Sequence, residues 1–237
     1  MVGLLSDIGN MRKLNEDYLG YFQDKYKRFY VIADGMGGHN AGEVASKIAV
    51  DTIIDYINSV KDIEDGSEVL RNAIALANES IYKLSQGNGE LSGMGTTITI
   101  GLIVDNCLFV ANVGDSSLYV IKEDGITKIT KDHSLVQQLI DSGSITEKED
   151  KLHPNKNIIT RALGTYAIVE VDTFKVDLQG VIKIIMCTDG LTNEVNTSEM
   201  YDIVLKNDND VSCKKLVELS KQKGGRDNIS VIVFEGV

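Results

Sequence analysis

Short apolar segments that end at an aspartate recur along the chain. The first, Phe29–Ala33, runs directly into Asp34 and the glycine-rich stretch Gly35–Gly38. An apolar run, a tight turn and an amphipathic stretch from Ala41 onward predict a strand, a turn and a helix. Asp34 then stands at the end of a buried strand, where a carboxylate is costly unless a cation or hydrogen-bond donors meet it. The simpler alternative is a loop aspartate that caps the following helix.

The spacing of apolar residues predicts further elements. Ala41–Val60 and Ser67–Leu84 have apolar positions on one helical face, with Ser67 as a plausible N-cap. Alternating segments predict strands at Thr97–Val104, Cys107–Val113, Ser117–Lys122, Ile126–Thr130, Ala167–Val176, Val181–Cys187 and Asn228–Phe234, and helices at His133–Ser142, Thr197–Leu205 and Ser212–Gln222. Gly143–Asn157 is polar and lacks strong periodicity, which predicts a surface flap. Helices grouped apart from hairpin-linked strands favour an α+β fold of antiparallel sheets covered by helices.

Composition narrows the class of protein. The 237 residues, 43% of them hydrophobic, fit one large domain or two small ones. No apolar run approaches the roughly 20 residues of a membrane span, and the N-terminus turns polar too soon for a signal peptide. The three cysteines are widely spaced, which indicates buried thiols in a reducing, cytoplasmic compartment. A net charge of −11 argues against nucleic acid or an anionic membrane as a partner.

Three other aspartates stand in settings similar to that of Asp34. Asp115 and Asp189 follow apolar strands, and Asp227 lies just before the last one. If these strand ends meet at one rim, the carboxylates repel one another and take up protons unless a cation is present. Oxygen ligands alone select Mg²⁺ or Mn²⁺ over zinc, and two close ions suit phosphoryl chemistry. For any single Asp-Gly pair the alternative is a plain turn.

A second polar segment, Ser6–Asp17, precedes the first predicted strand. Arg12 is able to hold a phosphate through two parallel donors, and Glu16 and Asp17 are able to supply metal or water contacts. Taken alone, the segment is equally a solvated loop.

Several motifs occur together in a specific order. They are Ser6–Asp17, Val31–Ser46, Gly93–Thr97, Asn112–Ser116, Thr130–Leu135, Asn157–Gly164, Cys187–Asn193 and Gly225–Ile229. In this order and spacing the chain resembles the metal-dependent serine/threonine protein phosphatases of type 2C, in their compact bacterial form. The resemblance covers nearly the whole chain.

The resemblance implies a fold and a set of roles. The fold is a four-layer α-β-β-α sandwich, with two stacked antiparallel sheets flanked by helix pairs in one catalytic domain over residues 1–237. The implied cofactors are two core Mn²⁺ or Mg²⁺ ions and a weaker third. Their implied ligands are Asp34 as the bridge, the Gly35 carbonyl, Asp189 and Asp227 in the core, Glu16 and Asp17 directly or through water, and Asp115 with Asp189 at the third site beneath the flap. Arg12 holds the substrate phosphate, and a hydroxide between the core ions attacks phosphorus in line.

Three positions depart from the family pattern or invite a different interpretation. Eukaryotic members place a histidine, the proposed general acid, at the position of Met36. The resemblance does not assign this role to His39. Many members have an arginine at the position of Ser117. His133 follows Asp132 like half of a catalytic dyad, but a structural motif at a helix start is the better interpretation, since the family needs no covalent nucleophile.

The resemblance also implies partners. They are phosphorylated proteins, including a cognate serine/threonine kinase and its substrates, handled by a cytoplasmic monomer that binds neither nucleic acid nor membrane. Three alternatives remain: a phosphoprotein-binding pseudoenzyme, a dedicated regulatory phosphatase of one partner, and nucleotide binding through Gly35–Gly38. Retention of every core metal position argues against the first. The absence of a following Lys-Ser/Thr argues against the last.

Overall fold

The computed structural model describes residues 1–37, 41–87, 89–146, 149 and 153–236. The strands are β1 (Val2–Asp7), β2 (Asp17–Gln23), β3 (Lys27–Met36), β4 (Gly95–Thr96), β5 (Ile98–Val104), β6 (Cys107–Val113), β7 (Ser117–Lys122), β8 (Gly125–Lys128), β9 (Asp172–Asp177), β10 (Lys183–Cys187) and β11 (Ile229–Glu235). The helices are α1 (Ala41–Ser59), α2 (Gly66–Gly87), α3 (Leu135–Asp141), α4 (Asp189–Thr192), α5 (Thr197–Lys206) and α6 (Asn209–Lys223).

The strands form two antiparallel sheets. The first has five strands in the order β1-β11-β10-β7-β8. The second has the order β2-β3-β5-β6-β9, and β4 pairs with the end of β3. The chain passes from the second sheet to the first between β6 and β7, so residues 114–116 link the two sheets.

Three separate apolar clusters show that the layers are stacked as the resemblance implies. One joins α1 and α2 to the second sheet, one joins α4, α5 and α6 to the first sheet, and one lies between the sheets. In β3, Phe29 and Val31 face the helices, whereas Tyr30 and Ile32 face the other sheet, where Tyr30 stacks on Phe234. Because side chains alternate along a strand, Asp34 continues the side that faces the other sheet. The predicted α-β-β-α sandwich is confirmed.

Some element boundaries differ from the sequence-based expectations. β1 and β2 were not predicted, because both are only partly buried and β2 contains a glycine and several polar residues. The strand expected from Ala167 begins at Asp172, since buried Asn78 donates to the Tyr166 and Ala167 carbonyls and holds that stretch as a loop. Ser67 is not an N-cap: α2 already begins at Gly66.

Two expectations fall wholly or partly outside the described residues. His39 is not described, and the predicted flap Gly143–Asn157 is described only at 143–146, 149 and 153–157. None of the helices within the described ranges is long and apolar enough to cross a membrane.

Candidate active site

The predicted carboxylates meet at one end of the sandwich. Asp17 and Asp34 lie opposite each other on β2 and β3 of the second sheet. Asp189 begins α4, with Thr188 between it and β10, and Asp227 is separated from β11 by Asn228, so both lie at an end of the first sheet. Asp115 lies in the link between β6 and β7. The two sheets therefore contribute acidic side chains to one site from opposite sides.

These carboxyl groups raise one another's proton affinity. Burial raises the pKa of Asp34 well above its usual range, and Asp17, Asp189, Asp115 and Asp227 raise it further. Burial likewise raises the pKa of Asp17 to about 7, against the hydroxyls of Ser230 and Thr188, which lower it. Asp34 is half-buried by accessible surface, so part of it faces the open site while protein surrounds the rest.

The other two groups behave in the same way. Burial and then Asp189 raise the pKa of Asp115 to about 8. Burial and then Asp227 raise the pKa of Asp189 to about 6, while Asn193, which donates to its Oδ2 at 3.0 Å, lowers it. Ionised carboxylates at this end of the sandwich are therefore unfavourable for the stability of the folded chain.

The unpartnered oxygens of the site fit divalent cations. Among the described residues, five buried side-chain nitrogen or oxygen atoms lack a hydrogen-bond partner, and three are the Oδ1 atoms of Asp17, Asp115 and Asp189. Carboxylate oxygens are the ligands that Mg²⁺ and Mn²⁺ prefer. In the part of the chain that the structure describes, no group of three or more His, Cys, Asp or Glu side chains is already arranged to hold a metal ion.

Arg12 and Glu16 lie at the rim, on the loop between β1 and β2. The Arg12 Nη2 atom donates to Asp227 Oδ2 at 2.8 Å, and the Arg12 side chain is 49% exposed. Burial raises the pKa of Glu16, whereas Arg12 and the Gly42 amide lower it. The structure thus brings Arg12, which is predicted to bind the substrate phosphate, into contact with Asp227, a predicted metal ligand.

Gly35 is required by close contact. A Cβ atom at Gly35 would lie 2.2 Å from the Gly42 carbonyl oxygen and 2.5 Å from the Glu16 carbonyl oxygen. The Gly35 amide also donates to the Glu16 carbonyl at 3.1 Å. Any side chain here would separate β3 from α1 and from the loop that carries Glu16.

Several buried polar residues that hold the site were missed by the sequence analysis. Asn228 donates to the carbonyls of Ile8 and Leu14 at 3.0 and 2.9 Å and accepts from the Glu16 amide at 2.9 Å. It therefore ties the rim loop to β11. Its place between Asp227 and the start of β11 was the available signal, but its partners are more than 200 residues away.

Thr97 performs a similar task on the second sheet. Its Oγ1 accepts from the Asp34 amide at 2.9 Å and shares a 3.0 Å hydrogen bond with Ser116 Oγ. Ser116 directly follows Asp115. The pair therefore connects the backbone of one predicted ligand to the link that carries another.

His133 has a structural environment. Its Nδ1 accepts from the Gly114 amide at 3.0 Å, and its Nε2 lies 3.2 Å from Asp172 Oδ2, which also lies beside Arg161. Burial lowers the pKa of His133, in favour of the neutral ring. Both ring nitrogens thus hold loops together, which agrees with the structural interpretation.

The two residues that depart from the family pattern, Met36 and Ser117, are buried to different extents. Met36 pairs with Gly95 beside the site and has no proton to donate. Ser117 is buried at the start of β7. Neither side chain reproduces the residue that it replaces.

Comparison with known proteins shows the family of the chain. A family model described as protein phosphatase 2C matches residues 11–208. The serine/threonine phosphatase stp of Listeria welshimeri is 39% identical over 97% of this chain and 93% of its own. The crystal structure of the serine/threonine phosphatase Stp1 from Staphylococcus aureus superimposes with a TM-score of 0.94 at 36% identity, over 99% of this chain and 94% of its own.

The catalytic domain of a serine/threonine protein phosphatase, PstP, solved in complex with two manganese ions, is also similar. It has a TM-score of 0.87 at 31% identity, over 98% of this chain and 96% of its own. The chain therefore belongs to the protein phosphatase 2C family. The predicted class of enzyme, a serine/threonine protein phosphatase of the bacterial type, is confirmed, and the predicted dependence on metal is supported.

The carboxylate cluster predicts how stability depends on pH when chelator is present. The folded pKa values of Asp189, Asp17 and Asp115, about 6, 7 and 8, lie above the ordinary value of 3.8. At pH values between the ordinary pKa and these raised pKa values, the folded chain therefore binds more protons than the unfolded chain. The free energy of unfolding consequently falls as pH rises from 5 to 8. We expect the free energy of unfolding to be several kcal/mol lower at pH 8 than at pH 5.

Urea denaturation in EDTA at pH 5 and pH 8 measures this loss. Asp34→Asn should reduce the pH dependence and stabilise the chelated protein at pH 8, because it removes one repelling charge. Asp202→Asn is the matched control, since Asp202 is an exposed partner of Lys206 on α5. Equal stability of the unsubstituted protein at both pH values would contradict the account.

Proposed function

We propose that the carboxylate cluster is a metal-dependent phosphatase centre acting on phosphoserine and phosphothreonine in proteins. The observation that carries the proposal is the set of three buried, unpartnered Oδ1 atoms of Asp17, Asp115 and Asp189, gathered where the two sheets end. In this assignment the core ligands are Asp34, the Gly35 carbonyl, Asp189 and Asp227, with Glu16 and Asp17 acting directly or through water. The manganese-bound relative supports a core of two Mn²⁺ or Mg²⁺ ions.

The residues of the chain then have separate roles in the proposed reaction. When bound, the ions supply an activated water and neutralise charge on the phosphate. Arg12 provides a planar guanidinium at the rim, able to make two parallel hydrogen bonds to phosphate oxygens. Asp227 orients that guanidinium, because Arg12 Nη2 donates to it at 2.8 Å. Since Met36 carries no proton, we expect solvent water to protonate the leaving oxygen.

The third site is proposed at Asp115 and Asp189. A cavity of about 220 Å³ opens beside these two residues, and Lys156 and Asn157, at the described end of the predicted flap, also line it. A cation there would have few protein ligands and would keep most of its waters, so it would bind weakly. This arrangement supports the expected position of the flap over Asp115.

The cellular setting is proposed from the family. The names of the relatives support phosphorylated proteins as substrates, and we extend this to a cognate serine/threonine kinase and its substrates. We also propose a monomer in the cytoplasm. Its three cysteines are free thiols, which supports a reducing compartment. Retention of all the predicted core carboxylates favours an active enzyme over a phosphoprotein-binding pseudoenzyme.

Metal dependence tests the proposal directly. Hydrolysis of a phosphothreonine peptide should proceed with Mn²⁺, stop in excess EDTA and resume when Mn²⁺ is restored. Asp34→Asn should lower kcat by at least about 1000-fold, because both core ions depend on this side chain. Full turnover in chelator, or near-normal kcat in the variant, would refute the two-ion centre.

Arg12→Met tests the phosphate ligand. We expect KM for the peptide to rise about tenfold and kcat/KM to fall about 10- to 100-fold, since a charge-assisted bidentate contact is lost. Manganese affinity measured by calorimetry should stay equal or become tighter, because a cation beside Asp227 is removed. Arg226→Met, which removes a 76% exposed arginine next to Asp227, is the control. Weaker metal binding with an unchanged KM would make Arg12 structural.

Asp115→Asn tests the third site. Calorimetric titration with Mn²⁺ should retain the tight sites and lose the weak one, while kcat on the same samples falls about tenfold because the cation beside the cavity is lost. Loss of a tight site would move Asp115 into the core. Unchanged turnover at every metal concentration would leave Asp115 as a turn residue.

A further inference from the structure

The two oxygens of the Asp17 carboxylate have different surroundings. Oδ2 accepts a hydrogen bond from Thr188 Oγ1 at 2.9 Å, whereas Oδ1 is buried without a partner. Asp17 itself is only 6% exposed. A carboxylate with one oxygen held in this way presents its unpartnered oxygen first to an ion or a bound water.

Thr188 does not act as its position would suggest. It is the N-cap of α4, where threonine usually accepts from a backbone amide of the first turn, yet its side chain makes no capping bond. Its hydroxyl oxygen accepts instead from the Ser230 amide at 3.1 Å. Because that amide supplies a proton to the oxygen, the hydroxyl's own proton is directed to Asp17.

The contact joins the two sheets at the site. Thr188 directly follows β10, where Ile184 and Met186 face the space between the sheets, and its extended backbone continues that alternation. Asp17 lies on β2 of the other sheet, opposite Asp34. The bond therefore spans the sandwich at the place where acidic groups from the two sheets repel each other.

We propose that Thr188 is a positioning residue whose hydroxyl holds Asp17 Oδ2 and so orients the carboxylate to offer Oδ1 to a metal ion or a bound water. The inference rests on the proposed function. Valine has nearly the same shape as threonine but no donor, so Thr188→Val would leave Oδ2 buried and unpaired and free the carboxylate to turn. Thr188→Ser keeps the donor and loses only a methyl group.

The experiment compares Thr188→Val and Thr188→Ser with the unsubstituted protein. Manganese affinity is measured by calorimetry, and kcat and KM are measured on a phosphothreonine peptide over a range of Mn²⁺ concentrations. We expect Thr188→Val to weaken the tightest manganese binding about tenfold, as loss of a residue that orients a metal ligand typically does. Its turnover should fall at low Mn²⁺ and recover in part at high Mn²⁺, with the peptide KM nearly unchanged.

Two comparisons separate positioning from simple loss of stability. Thr188→Ser should remain within about threefold of the unsubstituted protein in manganese affinity, because it retains the hydroxyl. Ser212→Ala removes another buried hydroxyl, on α6, that donates to the backbone carbonyl of Asp208, the N-cap of that helix. It should leave both manganese affinity and turnover unchanged. If Thr188→Val does not fold by circular dichroism, Thr188→Ala makes the same test without added apolar bulk.

Each contrary outcome has a distinct meaning. A folded Thr188→Val protein with normal manganese affinity and turnover would overturn the proposal, and so would Thr188→Ser losing as much as Thr188→Val. If the unsubstituted protein neither binds manganese nor hydrolyses the peptide, the proposed function fails first, and the positioning role fails with it.

Discussion

Mutual repulsion among buried carboxylates is the constraint on which the site depends. Asp17, Asp34, Asp115 and Asp189 lie close enough to raise one another's pKa, and three of them have an oxygen without any partner. Apolar packing does not relieve such a cluster; protons, cations and hydrogen-bond donors do. This repulsion lowers the stability of the fold at this end of the sandwich. It also favours the binding of hard divalent ions there.

The rest of the structure at this end holds the acidic groups in place against that repulsion. Thr97 fixes the Asp34 amide and reaches Ser116, Asn228 ties down the rim loop, and Thr188 bonds Asp17 across the sheets. These are neutral donors and acceptors, so they hold the carboxylates without neutralising them. The charge of the site therefore remains available to an ion, while the positions of the carboxylates are already set by the fold.

Stacked sheets suit this task because their ends converge from opposite sides. Each sheet is covered by its own helices, and the apolar cluster between the sheets keeps them at a set distance. Strand alternation then directs Asp34 and Thr188 towards the same space. Arg12 approaches from a loop at the rim, where half of its side chain remains exposed, so it is able to meet a phosphate arriving from solvent.

The sequence alone predicted the class of fold, and its resemblance to the family supplied the proposed ligands. The continuous apolar run Phe29–Ala33 placed Asp34 at a buried strand end, and the order of the motifs indicated the family. It did not determine β2, whose mixed residues become a strand only because β3 lies beside them. Nor did it show that Thr188 bonds Asp17, 171 residues away, or that Asn228 holds residues near the N-terminus. Alternation and turn chemistry act between near neighbours, whereas these hydrogen bonds exist only after the two sheets have stacked.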